Sequence, residues 1–308
     1  MLAGLWSRAL DGYAWDNDVA LSAFDGPAVR RPPMTRAEKA GPWLRPANTA
    51  SDALYRIYPV LKERKILDEF VALSRNVTPA AIQRFAGRWG LLGRSRRVVD
   101  RAGDWEYAVD AEPLSLWEGE CLSFRMLWDT WEAVRTIKFA ESHSSPDLRA
   151  AHALLRARVR WSAKSVSYHA EHEDRWMTSS LIASADYRTE LWQAFAHDEV
   201  VEPARYYVHE TLNERLRGHV DLSVLPTTIE AEDGHMRFSP RDLLSAIYVH
   251  FALDLAGGRG LERACASCQQ RFLARRRDQQ FCDKNCRERA GYHRRKEGGR
   301  NGRQTRER

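Results

Sequence analysis

Residues 113–139 read PLSLWEGECLSFRMLWDTWEAVRTIKF. Trp117, Cys121, Phe124, Trp128 and Trp131 recur there at spacings of four, three, four and three. A period of about 3.5 residues marks one apolar seam along an α-helix. The stretch therefore predicts a long helix with that seam in the core. Cys121 lies on the seam, which predicts a buried, inert thiol rather than a nucleophile.

The same period extends on both sides. Ile66, Leu67, Phe70, Val71 and Leu73 form one broad helical face. Thr78 followed by Pro79 reads as an N-cap with proline in the first turn. Ile82, Phe85, Ala86 and Trp89 carry the next stripe, and Gly90 is placed to end it. From Asp147 to about Trp176, the residues Leu148, Ala151, Leu155, Val159 and Val166 predict a second long helix, packed antiparallel to the first. Pro203 opens a further helix to Leu216. Ser239-Pro240-Arg241-Asp242 reads as a capped start, with Leu244, Ile247, Tyr248, Phe251 and Leu255 as the buried stripe and Gly257-Gly258 as the stop.

Only one β signal stands out. Thr228–Ala231 and His235–Phe238 flank Asp233-Gly234, a hairpin-turn pair. Residues 1–50, with Pro27, Pro32, Pro33, Pro42 and Pro46, read as an irregular arm. Residues 93–112 carry Arg94, Arg96, Arg97 and Arg101 and read as a charged linker, either a solvated loop or a second polyanion contact. The expected fold is mainly α: a helical domain over 51–258 with a short hairpin near 228–238, then a small zinc finger over 259–296 and a disordered basic tail over 297–308.

The chain has 308 residues and a net charge of +6. That charge is unevenly placed. Residues 259–308 hold 16 Lys and Arg against six Asp and Glu, a net of +10, which leaves −4 on residues 1–258. A basic segment on a near-neutral body suits a polyanion partner, though a solubilising tail has the same composition. No apolar run reaches the ~18 residues of a membrane span. Met1–Asp18 lacks a secretory leader. The expectation is a cytoplasmic protein without a membrane partner.

Four of the five cysteines lie within 22 residues: Cys265, Cys268, Cys282 and Cys286. Cys-x-x-Cys lets one tight turn present two sulfurs to a metal. Cys282 and Cys286 are one helical turn apart. Four thiolates suit tetrahedral Zn2+, so the four cysteines are the expected ligands; a redox pair is the other reading. Phe272 and Phe281 bracket Arg275, Arg276 and Arg277, which reads as a hairpin with a two-phenylalanine core. Knuckle, hairpin and ligand-bearing helix together describe a treble clef. So small a module draws its folding free energy from the metal. After Cys286, Arg287, Arg294 and Arg295 share a helical face, either a phosphate and guanine contact or a solvated surface. Tyr292 and His293 lie beside it, and His293 reads as a neighbour of the metal rather than a ligand.

Ser239-Pro240, Gly257-Gly258, Cys265/Cys268, Phe281-Cys282, Cys286-Arg287 and Arg294-Arg295 together resemble the C-terminal module of a group of uncharacterised bacterial proteins. That module is similar to the CGNR-type zinc fingers of transcriptional regulators. The segment from Phe70 to Gly93, with its run FAGRWGLLG, resembles the N-terminal part of the same group. After Cys286 the chain has Arg-Glu-Arg where the group has Gly-Asn-Arg. The resemblance implies zinc-dependent DNA binding in a bacterium.

Catalytic motifs are scarce. His209-Glu210 starts like a zinc-protease helix, but Asn213 stands where the second histidine belongs. His169 and His172, three apart, would pair on a helix, but no third ligand is placed near them. Residues 269–281 lack the histidine an HNH nuclease needs. There is no P-loop, no dinucleotide fingerprint and no nucleophile elbow. The expectation is a binding protein, not an enzyme. Its first reading is a regulator that takes DNA in preference to RNA. Its second is a protein-interaction module with a purely structural finger. One finger reads about three base pairs, so a homodimer or a second contact is expected. A small-molecule effector or a protein partner for the helical body stays open.

Overall fold

The fold comes from a computed structural model, which describes residues 5–21, 36, 41–48, 55–102, 105–138, 146–172, 176–186, 189–226, 234–256, 262–265, 267–268, 271–273, 280–281 and 284–290. The chain divides into two compact units, Met1–Tyr248 and Val249–Arg308.

In the first unit the helices are α1 (Lys65–Arg75), α2 (Pro79–Trp89), α3 (Leu114–Lys138), α4 (Pro146–Arg158), α5 (Thr189–Ala194) and α6 (Val201–Leu216). Helix α7 (Leu243–Leu255) starts in this unit, and the division falls inside it. Thr78 caps α2, accepting the Ala81 N–H on its Oγ1 at 3.2 Å. Gly90 then leaves α2 at φ 98°, a conformation open to glycine. Helix α3 packs against α1, α4 and α6, because its aromatic seam faces them. Trp117, Cys121, Phe124 and Trp128 are all buried. Phe124 meets Phe70 of α1 edge-on at 5.0 Å and Tyr248 at 5.7 Å, and Trp117 meets Phe85 of α2 at 6.0 Å. Behind the seam, the Thr130 and Tyr168 hydroxyls bond one another, and Arg158 Nη1 lies 3.2 Å from both. Tyr168 also stacks on Tyr207 at 3.8 Å.

The expectation of a mainly α protein is corrected by the strands. The described residues contain fourteen, arranged in five antiparallel sheets, four of them in the first unit. A five-stranded sheet has the order β2 (Tyr13–Asp16), β4 (Trp43–Pro46), β7 (Trp105–Pro113), β6 (Arg96–Ala102), β3 (Ala20–Leu21). β1 (Leu5–Ala9) pairs with β5 (Tyr55–Pro59). A third sheet is β10 (Trp176–Ser184), β9 (Ser165–His172), β8 (Val159–Trp161), and a fourth is the pair β11 (Val220–Pro226) and β12 (Gly234–Pro240).

Each departure from the expected pattern has a physical reason. Within 1–50, read as an irregular arm, four strands form. Their partners lie far along the chain, as in Leu5↔Pro59 and Trp43↔Pro113. Trp43 and Leu44 are adjacent and both buried, so this strand shows no inside–outside alternation. The charged linker 93–112 contains the β6–β7 pair, in which Arg97 stands opposite Asp110. Opposite charges at facing positions favour the ladder. The second long helix stops at Arg158. Val159 fits the helical spacing from Leu155 but begins β8, and in β9 Val166 and Tyr168 are buried two apart, the period of a strand. The hairpin after α6 pairs Val220–Pro226 with Gly234–Pro240, so the expected strand His235–Phe238 lies within β12, while Thr228–Ala231 lies outside the described residues.

Candidate metal centre

The second unit places its first cysteines by a short ladder. β13 (Glu262–Ala264) pairs antiparallel with β14 (Arg271–Leu273) in the register Glu262↔Leu273, Arg263↔Phe272, Ala264↔Arg271. Cys265 follows β13 directly, and Cys268 lies in the turn before β14. The sequence placed a hairpin between the two cysteine pairs. The ladder observed encloses the first pair, with six residues between its strands, and residues 274–279, where the expected hairpin turns, lie outside the described residues. Residues 284–290 are helical and carry Cys286.

The sulfurs of Cys265, Cys268 and Cys286 all lie within 4.8 Å of one another. Cys265 is fully buried, Cys286 is 6% exposed, and Cys268 is half-buried. Three converging soft donors are positioned to hold a metal ion. This is the one such grouping of three among the described residues. It joins a turn to a helix further along the chain, closing a loop that so short a unit has little apolar surface to close unaided. Cys282, Arg275, Arg276, Arg277, Tyr292, His293, Arg294, Arg295 and the tail 297–308 lie outside the described residues. Arg287 is described and exposed, as are Arg289 and Glu288 on the same helix. Lys284 and Glu288 approach to 3.7 Å one turn apart. Phe281 is half-buried.

The histidine candidates separate. His169 and His172 lie on β9, not on a helix, so the one-turn spacing that would pair them does not apply. His169 Nε2 lies 2.8 Å from Ser167 Oγ. His209 is exposed on α6, with Asn213 one turn on. Cys121 is buried in the α3 seam, and burial drives its thiol pKa far up, with Glu120 and Glu118 adding to the effect.

Sequence reasoning missed a buried carboxyl group in the first unit. Glu112 on β7 is fully buried, and burial raises its pKa to about 7 against three backbone hydrogen bonds that lower it. Next to it, Arg94 reaches His219 Nε2 at 3.2 Å and Asp242 at 3.5 Å. No spacing rule links these residues, since they come from separate segments of the chain.

Among the described residues no helix is long and apolar enough to cross a membrane. Compared with known proteins, the chain matches no family model, no curated protein and no solved structure.

Proposed function

We propose that this chain is a zinc-dependent nucleic-acid-binding protein, a cytoplasmic DNA-binding regulator rather than an enzyme. Zn2+ would be held by Cys265, Cys268, Cys282 and Cys286. The observation that carries the reading is the approach of three sulfurs within 4.8 Å inside a segment of net charge +10. Thiolates select zinc over hard cations, and a small four-thiolate site is closed and structural. Arginines on the same segment suit phosphate oxygens and guanine edges. In this reading Arg275, Arg276, Arg277, Arg287, Arg294 and Arg295 contact the nucleic acid, and the 1–248 unit supplies dimerisation or sensing.

The test is binding of the full chain, loaded with zinc, to random-sequence duplex DNA across a salt series. The expected log–log slope is about −0.9 per phosphate neutralised, with several phosphates involved. Replacing Arg275, Arg276 and Arg277 together by Ala lowers the slope, and so does replacing Arg287, Arg294 and Arg295. Removing zinc with a chelator abolishes binding. Absence of binding by the zinc-loaded chain would overturn the nucleic-acid reading and leave the cysteine site as a structural clasp for a protein partner.

A further inference from the structure

We infer that Cys268 is the oxidant-sensing thiol of the cysteine site, and that its oxidation by a hydroperoxide, completed by a disulfide to Cys265 or Cys286, releases the bound metal. The inference rests on the zinc reading above and adds a regulation to that same site.

The three sulfurs share one chemical state but not one environment. Ligand thiols are bound deprotonated, so each is a nucleophile in waiting. Oxidation of thiolates then follows access. Cys265 is 0% exposed and Cys286 6%, whereas Cys268 is half-buried in the turn before β14. Among the described cysteines, an oxidant in solution therefore meets Cys268 first. The other two sulfurs lie within 4.8 Å, near enough for either to resolve the product. Cys121 is the opposite case. It is 0% exposed in an aromatic seam, and burial strongly favours its protonated thiol. Among the described cysteines, the chain thus carries one accessible thiol, two resolving partners beside it, and one protected internal reference.

The step balances as follows. The Cys268 thiolate attacks one peroxide oxygen, the O–O bond breaks, and hydroxide leaves to become water on taking a proton. Cys268 is then a sulfenic acid. The thiolate of Cys265 or Cys286 attacks that sulfur, the S–OH bond breaks, and a second hydroxide leaves. Two thiolates have lost two electrons in all, and the peroxide has gained them. Two ligands are lost at once, and the remaining donors hold the ion too weakly to keep it.

The experiment uses the full chain, with zinc per chain measured first. Hydrogen peroxide is then added in steps. Released zinc is read with a chromogenic chelator, and disulfides are mapped by differential alkylation and mass spectrometry. The expected result is one zinc released per peroxide consumed and a first disulfide that contains Cys268. Cys121 is expected to be alkylated only after denaturation, and a dithiol with added zinc restores the starting state. Zinc retained in about tenfold molar excess of peroxide overturns the inference while leaving the zinc reading intact. So does a first disulfide that joins Cys265 to Cys286. A chain that binds no zinc at all overturns both.

Discussion

Glu112 Oε1 accepts the backbone N–H of Gly93 at 2.7 Å, and the same carboxylate takes the N–H groups of Leu92 and Arg94, each at 2.9 Å. A fully buried acid thus holds three consecutive amides of the loop that leaves α2. The loop in turn bonds the start of α7, where Leu244 N–H donates to Leu92 O at 3.0 Å. Asp242 caps that helix by accepting the Ser245 N–H at 2.6 Å. One carboxylate therefore links the five-stranded sheet to a loop and, through it, to a core helix.

Burial raises the Glu112 pKa to about 7 from 4.5, with the charge of Asp110 adding to the effect and the three amides opposing it. A raised carboxyl pKa means that the folded state holds its proton more tightly than the unfolded chain. The stability from the neutral acid is complete below about 4.5 and is lost as pH rises through about 7. The size is about 3 kcal/mol. Glu112→Gln replaces one acceptor by a donor facing the Leu92 N–H, so it lowers stability throughout. It should also flatten the dependence between pH 5 and 8. Urea unfolding of both proteins at pH 5 and pH 8 checks this, and parallel profiles would refute it.

Gly93 has φ 91°, and a Cβ placed there would stand 2.4 Å from Asp242 Cβ. Gly93→Ala is expected to cost about 2–4 kcal/mol, combining a left-handed backbone with a contact that cannot relax cheaply. Gly87, on α2, has open space where an alanine methyl would go, with no atom within 4 Å. Gly87→Ala should stabilise by about 0.5–1 kcal/mol through helix propensity. Opposite shifts in the denaturation midpoint are the expected readout.

Thr78→Ala removes the side-chain acceptor for the Ala81 N–H at the start of α2. The expected loss is about 1 kcal/mol, measured by denaturant unfolding. Thr78→Ser should recover most of it, because the hydroxyl oxygen is kept.

Chelation separates the cysteines. If the site holds zinc as proposed, Cys265→Ser or Cys286→Ser should lower the zinc bound and loosen the second unit, seen as faster amide exchange in residues 262–290. Cys121→Ser should leave zinc per chain unchanged. It is expected to cost about 1–3 kcal/mol, since it buries a hydroxyl in an aromatic seam.

By itself the sequence determined the helices whose pattern is local. Ile66 to Leu73, Thr78 to Gly90 and the Trp117–Trp131 seam each repeat within a few turns, and caps act on neighbours three or four residues away. It also determined the donor chemistry of the C-terminal segment, because Cys265 and Cys268 share one turn. Tertiary structure alone decided the long-range sheets and the buried polar contacts. Leu5 finds Pro59 and Trp43 finds Pro113, partners that no short window contains. Adjacent buried residues such as Trp43 and Leu44 erase the alternation that announces a strand. Arg97 looked like loop charge until its ladder set it opposite Asp110. Glu112 belongs to no motif, and only the sheet places it under the amides of residues 92–94. The cysteine spacing, by contrast, had already grouped Cys286 with Cys265 and Cys268, whose sulfurs lie within 4.8 Å of one another. Helical and capping interactions are short in sequence and leave a period behind. Long-range strand pairing and buried carboxylates join distant residues, and no short window of sequence records them.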